Sequence, residues 1–376
     1  MAKLKALPKA LIIGALVAVA GFGIYKFLPP VKPVATVTVA ESDYITETKA
    51  TDQAATTPRT NDRLIATTPI PRETQRGDPS LKPEVLPEAS ASGKLAGAGI
   101  ASGAKSGTNY PMVQDIIKVC SRDDYPLRNV VSTGSIENVH KIYSDQNSQF
   151  GIVQEDALAL QQRADPKMMS RIVAVFPFFS VEIHAIVAKG SNIKSLADMA
   201  GKKVAEGPAG SGSLATVTLI KELTGIKWES VSGDLTQAQA LKAVQSGVAD
   251  VAFIVAGQPI QILRGAQGIE LVPMVHAKLE GYKFYTKTQL PTGAYPWQGT
   301  PVTTYKVNNV LATFAYKNQY QKEIGELVSC ITKNVDQLQA DGHPKWRDVD
   351  PLDIDRVKWP VHPAAVAAIK REAKNK

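Results

Sequence analysis

The sequence predicts an α/β protein of two similar βαβ lobes facing each other across a central ligand cleft. Three observations predict it. From Leu95 onward, short apolar runs alternate with amphipathic stretches, the pattern of βαβ units around a mainly parallel sheet. The pattern repeats at an offset of roughly 100 residues. Each copy also places Gly, Ser and Thr where a strand leads into a helix, the position at which open α/β sheets take ligands.

Composition sets the frame. The 376 residues are 44% hydrophobic, 21% charged and 6% aromatic, enough for two domains and unlike a disordered, collagenous or polytopic membrane chain. Lys and Arg number 43 against 35 Asp and Glu, but no basic run of five or six residues concentrates that excess, so no nucleic-acid partner is expected. Two Cys and five scattered His form no spaced zinc motif, and neither metal nor cofactor is expected.

Lys3, Lys5 and Lys9 precede a 16-residue uncharged stretch, Ala10 to Tyr25, closed by Lys26 and Pro29-Pro30. Residues 1–28 therefore read as a secretory signal peptide or a signal anchor. Ala18-Val19-Ala20 offers a cleavage site, whereas Phe22, Ile24 and Tyr25 prolong the apolar run as an uncleaved helix would. Either way the rest is delivered to the periplasm or another extracytoplasmic space, held at the inner membrane by residues 10–28 if uncleaved. Residues 29–94, with nine prolines and the single aromatic Tyr44, lack any sustained period and read as a disordered Pro/Thr-rich linker.

In the first copy, a helix runs from Gly107-Thr108-Asn109-Tyr110-Pro111 through Cys120. The strand and turn Asn129 to Ser135, a helix through Ile142 and the strand Phe150 to Gln154 follow. In the second, Gly207 to Ser213 opens a helix through Leu223, followed by the strand and turn Ser230 to Asp234, a helix through Val244 and the strand Asp250 to Val255. Phe176 to Val187 reads as a buried strand, with His184 a structural histidine on one face, and Glu323 to Leu338 as a late helix.

Glycine lets backbone approach a ligand, and free N–H groups at a helix start favour an anion, with Ser and Thr as further donors. The residues placed to bind are Thr108, Asn109, Tyr110, Ser132, Thr133, Ser135, Gln154, Asp156, Gly210, Ser211, Gly212, Ser213 and Gly257, with Tyr295 on the Gly/Pro-rich loop 292–297. The same residue types serve equally as caps and turns. Three glycines and two serines within Gly207 to Ser213 exceed what one cap requires, while the missing Lys after Gly212 disfavours a nucleotide.

Taken in order, several stretches resemble the TAXI family, the solute receptors of tripartite ATP-independent periplasmic (TRAP) transporters. They are Ser106 to Pro111, Val131 to Asn138, Gly151 to Asp156, Ile193 to Asp198, Gly201 to Val204, Gly207 to Ser213, Val255 to Pro259 and His362 to Ala365. The resemblance implies a type II periplasmic-binding-protein fold with lobes of 95–189 plus 307–376 and of 190–306. It also implies a small anionic solute, commonly a dicarboxylate or acidic amino acid, and a TRAP-type membrane permease as partner of a monomeric receptor. The sequence departs from that family's usual pattern at Gly134, Asn109 and Met112, in the expected pocket.

By bringing their helices into one lobe, the resemblance further implies that Cys120 and Cys330 are joined, two buried free thiols being the alternative. No activated nucleophile or hydrolase elbow surrounds Ser211, so an enzyme on this fold is the weaker reading. A membrane-tethered ligand-sensing or assembly protein on the same fold accounts for the long linker.

Overall fold

A computed structural model describes residues 97–231, 234–316 and 320–375. The apolar run 10–25 and the linker 29–94 lie outside the described residues, among which no helix is long and apolar enough to cross a membrane.

The first copy forms β1 (Ala98–Gly103), α1 (Asn109–Cys120), β2 (Leu127–Val131), α2 (Ser135–Ser144), β3 (Phe150–Gln154) and α3 (Glu155–Ala164). β1 pairs in parallel with β2 and β3. Met112, Ile116 and Cys120, four residues apart, put one face of α1 into the core. β4 (Ile172–Ala188) is the longest strand, buried along almost its whole length, which is why it reads as a continuous apolar run.

The second copy forms β5 (Lys203–Ala205), α4 (Gly212–Thr224), β6 (Glu229–Ser230), α5 (Gln237–Gln245) and β7 (Val251–Ala256), with β5 parallel to β6 and β7. The Ser211 hydroxyl accepts from the Leu214 N–H to start α4, and Gly225 ends it in the left-handed region. Thr236 and Gln239 form a capping box that starts α5.

β8 (Ile269–Leu271) and β9 (Tyr285–Leu290) flank β4 and β10 (Val302–Phe314) in a sheet of order β2-β1-β3-β10-β4-β7-β5-β6. β4 and β10 are antiparallel to each other and run between the two copies, β10 pairing with β3 and β4 with β7. The sheet is therefore mixed, where local alternation predicts a mainly parallel one. Long antiparallel strands joined through distant residues leave no mark on that alternation. Residues 306 and 307, the second lobe boundary drawn from sequence, fall inside β10.

The register of β10 against β4 slips between Asn308 and Val310, so Asn309 has no partner in β4. Pro177, which lacks an N–H, sits at that slip, where a missing ladder bond costs least.

α6 (Gln321–Lys333) packs on α1 and on α8 (Pro363–Lys374), with α7 (Val335–Asp341) between them in sequence. One continuous helix is expected over this stretch, but Asn334 leaves helical geometry and its side chain donates to the Cys330 carbonyl. Asp115 of α1 accepts from the His343 N–H at 2.7 Å and from the Trp346 indole at 3.0 Å, and Trp346 is wholly buried. A disulfide joins Cys120 at the end of α1 to Cys330 on α6, with Cα atoms 5.8 Å apart.

That bond closes a loop with a sequence separation of 210, which encloses the entire second copy. On the chain-entropy account a loop of this size contributes about 5 kcal/mol, and removing native disulfides costs about 2–5 kcal/mol in practice. Thiol labelling of the denatured, unreduced protein should find no free thiol, and Cys120→Ser/Cys330→Ser should lower the denaturation midpoint. Two reactive thiols per chain would contradict the bridge.

Candidate functional site

Four helices begin around one cavity. Asn109, Ser135, Gly212 and Gln237, the first residues of α1, α2, α4 and α5, all line it. Gln154, Val181 and Asn309 from β3, β4 and β10 also line it, as do Val255 and Gly257 at the end of β7. The cavity measures about 90 Å³.

The loops before α2 and α4 touch through glycine. A Cβ on Gly134 would lie 3.1 Å from the Gly212 nitrogen and 3.2 Å from the Ser211 Cα, and Gly134 itself has φ +140°. The positive φ strains any side chain there, and the obstructing atoms, being backbone, would have to shift by a few tenths of an ångström to admit one. A Cβ on Gly212 would fall 1.4 Å from Gln154 Oε1. Beside this contact the Glu137 N–H donates to the Gly210 carbonyl at 3.0 Å, joining the two loops directly.

The hydroxyls are held by their neighbours. Ser211 Oγ accepts from the Leu214 N–H and Ser213 Oγ from the Val255 N–H, both at 3.1 Å. In each case the oxygen's lone pair is used and the O–H remains a donor with no partner among the described residues. Ser135 Oγ accepts from the Gln154 N–H and donates to Gln154 Oε1, while Gln154 Nε2 donates to Thr216. Thr133 donates through its N–H and hydroxyl to Glu137. Burial pushes the Glu137 carboxyl up, but these two bonds and the Lys141 ammonium outweigh it and hold the group below its ordinary value.

No charged side chain belongs to the described lining. Lys345 lies behind Gly257, paired with Glu182 at 3.5 Å and Asp348 at 2.7 Å, so its charge is already met. Four helix starts line the cavity, each at the positive end of its helix dipole, the end that favours an anion.

Of the residues singled out from sequence, Thr108, Asn109, Thr133, Ser135, Gln154, Ser211, Gly212, Ser213 and Gly257 line the cavity. Tyr110, Ser132, Asp156, Gly210 and Tyr295 do not. Tyr110 lies in the first turn of α1, its carbonyl taken by Asn129. Ser132 is turned inward to Asn138 at 2.5 Å, and Gly210 serves through its carbonyl. Tyr295 is fully buried, stacked on Trp297, with its hydroxyl 2.8 Å from His184 Nε2. Burial brings that imidazole down to about 4, so His184 is a neutral structural partner that draws Tyr295 into the core.

Asp156 sits beneath the cavity and accepts from Thr216 at 2.7 Å and Tyr285 at 3.2 Å, while its other oxygen is buried without a partner. Sequence reasoning missed Gln237 and Asn309. Gln237 lies within the capping box of Thr236 and Gln239, a readable helix start. Asn309 belongs to the pair Asn308-Asn309 between Val307 and the apolar run Val310 to Ala312, where a buried polar side chain calls for a partner.

The sheet is mixed, with two long antiparallel strands running between the α/β halves, and the cavity lies where helices of both halves begin. The chain belongs to the NMT1-like family, whose sequence profile matches residues 100–371. Among solved structures, it is similar to a putative periplasmic sulfonate-binding protein of Methylobacillus flagellatus, at 17% identity and TM-score 0.41, over 73% of this chain and 76% of that one. It is also similar to a putative L-cystine ABC transporter protein of Listeria monocytogenes, at 13% identity and TM-score 0.42, over 65% and 92% of the two chains. A probable amino-acid ABC transporter extracellular-binding protein of Bacillus subtilis is similar at 11% identity and TM-score 0.39, over 64% and 92%.

Two outcomes are expected from these contacts. Gly134→Ala should push the two loops apart, at a cost of about 1–3 kcal/mol for the strained backbone alone. A lower melting temperature with faster amide exchange at Glu137 would register it, and an unaltered Glu137 amide would contradict the contact. Burial raises the Asp156 carboxyl from 3.8 to about 6, against the bonds from Thr216 and Tyr285. A carboxyl raised in the folded state favours folding while protonated, so its contribution is complete below pH 3.8 and is lost as pH rises through about 6. Asp156→Asn should flatten the fall in stability across that window, measured by denaturant titration at each pH. An unchanged slope would assign the fall to other groups.

Proposed function

We propose that this chain is an extracytoplasmic solute-binding protein, without catalysis, that captures a small carboxylate between two lobes and hands it to a TRAP-type membrane permease. The lobes are residues 95–189 plus 307–376 and residues 190–306. One observation carries the reading: four helix starts, with the unengaged O–H donors of Ser211 and Ser213, face a cavity whose described lining bears no charge of its own. Such an environment favours an anion and offers a cation no counter-charge. The small cavity supports a solute of a few heavy atoms. The ordered resemblance of Ser106 to Pro111, Val131 to Asn138 and Gly207 to Ser213 to TRAP receptors supports the permease, and the N-terminal lysines and apolar run support export.

The test uses succinate as probe. It should raise the melting temperature of the full chain, because a ligand that binds only the folded state stabilises it. Ser211→Ala/Ser213→Ala removes two donors, and hydrogen bonds to a charged group contribute about 1.5–3 kcal/mol each. Calorimetry should therefore show succinate affinity reduced at least about tenfold. Unchanged affinity in the double variant would assign both hydroxyls to capping α4 and tying β7.

A further inference from the structure

Asn309 is 1% exposed, yet neither its Nδ2 nor its Oδ1 has a hydrogen-bond partner among the described residues. Its place in the fold explains how such a group arises. On β10 it stands opposite Gln154 of β3, and the slip against β4 leaves it out of that ladder. It lines the same cavity as the four helix starts. Gln154 does not complete it: its carboxamide turns to Ser135 and Thr216 and makes no bond to Asn309. A buried amide unpaired at both atoms is costly to fold, so a partner from the bound solute is the economical completion.

We propose that Asn309 is the selectivity-determining residue of the cleft, pairing with a neutral group of the solute that both donates and accepts a hydrogen bond. This rests on the anion reading and narrows it to a small carboxylate carrying a hydroxyl or carboxamide and no ammonium. A carboxamide or hydroxyl satisfies Nδ2 and Oδ1 together. A second carboxylate accepts only, and leaves Oδ1 facing another acceptor. An ammonium is best met by a carboxylate, and those nearby stand outside the cavity lining, although Asp156 keeps one buried oxygen without a partner among the described residues. Glu155 accepts from Asn308 and the Lys358 N–H, Asp156 from Thr216 and Tyr285, and Glu182 from the Gln258 N–H and Lys345. None of the three lines the cavity.

Four probes on one four-carbon skeleton separate the possibilities by calorimetry on the full chain: succinate, L-malate, succinamate and L-aspartate. L-malate or succinamate should bind at least about tenfold more tightly than succinate and L-aspartate, the scale of one well-made polar contact. Which of the two leads identifies hydroxyl or carboxamide. Asn309→Leu, similar in shape, should reduce that preference to less than about twofold. Without solute it should melt no lower than the natural protein, since it removes an unpaired buried amide. Asn309→Asp is the second variant and should reverse the order in favour of L-aspartate, whose ammonium it would meet. Equal binding of the four probes, or a preference that survives both substitutions, would overturn the role of Asn309 and leave the anion reading intact. Failure of all four to bind the natural protein would overturn both.

Discussion

The cleft depends on a contact made without side chains. Gly134, before α2, rests against the backbone of Ser211 and Gly212, before α4, so closely that a Cβ would require that backbone to give way. The adjoining hydrogen bond from Glu137 to Gly210 fixes the same two loops along the chain direction. Because of that approach, two helices from different copies of the repeat begin side by side, and their free N–H groups share one cavity. Larger residues at these points would hold the helix starts apart, and the potential each contributes falls off within a single turn.

The rest of the molecule steadies that contact. β4 and β10 provide a common floor, since each pairs with strands of the first copy or the second and with the other. Beneath the cavity, Asp156 receives Thr216 of α4 and Tyr285 of β9, while Arg163 of α3 meets Glu222 of α4 at 2.8 Å. The exposed pair contributes little. The buried cluster contributes position, at the expense of an ionised carboxyl that burial opposes. On the far side of α1 the disulfide and Trp346 bind the C-terminal helices to the first copy. The resulting cavity is polar, and its described lining carries no charged side chain; on the proposed function an anion is held there by oriented backbone rather than by lysine or arginine.

What was legible in the sequence follows from which forces act locally. The helices α1, α2, α4 and α5 and the strands β3 and β7 appear near their expected bounds, because apolar period and capping residues are properties of neighbouring positions. The run Gly207 to Ser213 was readable for the same reason, three glycines and two serines being more than a cap needs. Pairing between distant strands was not readable, so the antiparallel floor of β4 and β10 and the slip that isolates Asn309 left no local signal beyond two consecutive asparagines. Tyr295 shows the opposite limit. Its Gly/Pro-rich neighbourhood reads as a loop at the cleft, and only the distant His184 and the stacked Trp297 explain its burial in the core.

Hydrogen exchange measured with and without L-malate, resolved to single amides, tests most directly whether the helix starts hold the solute. Exchange should slow at the first-turn amides of α1, α2, α4 and α5, around Asn109, Ser135, Gly212 and Gln237, with little change at the opposite ends of those helices. Protection confined to other surfaces, or none at a concentration where L-malate raises the melting temperature, would contradict the account.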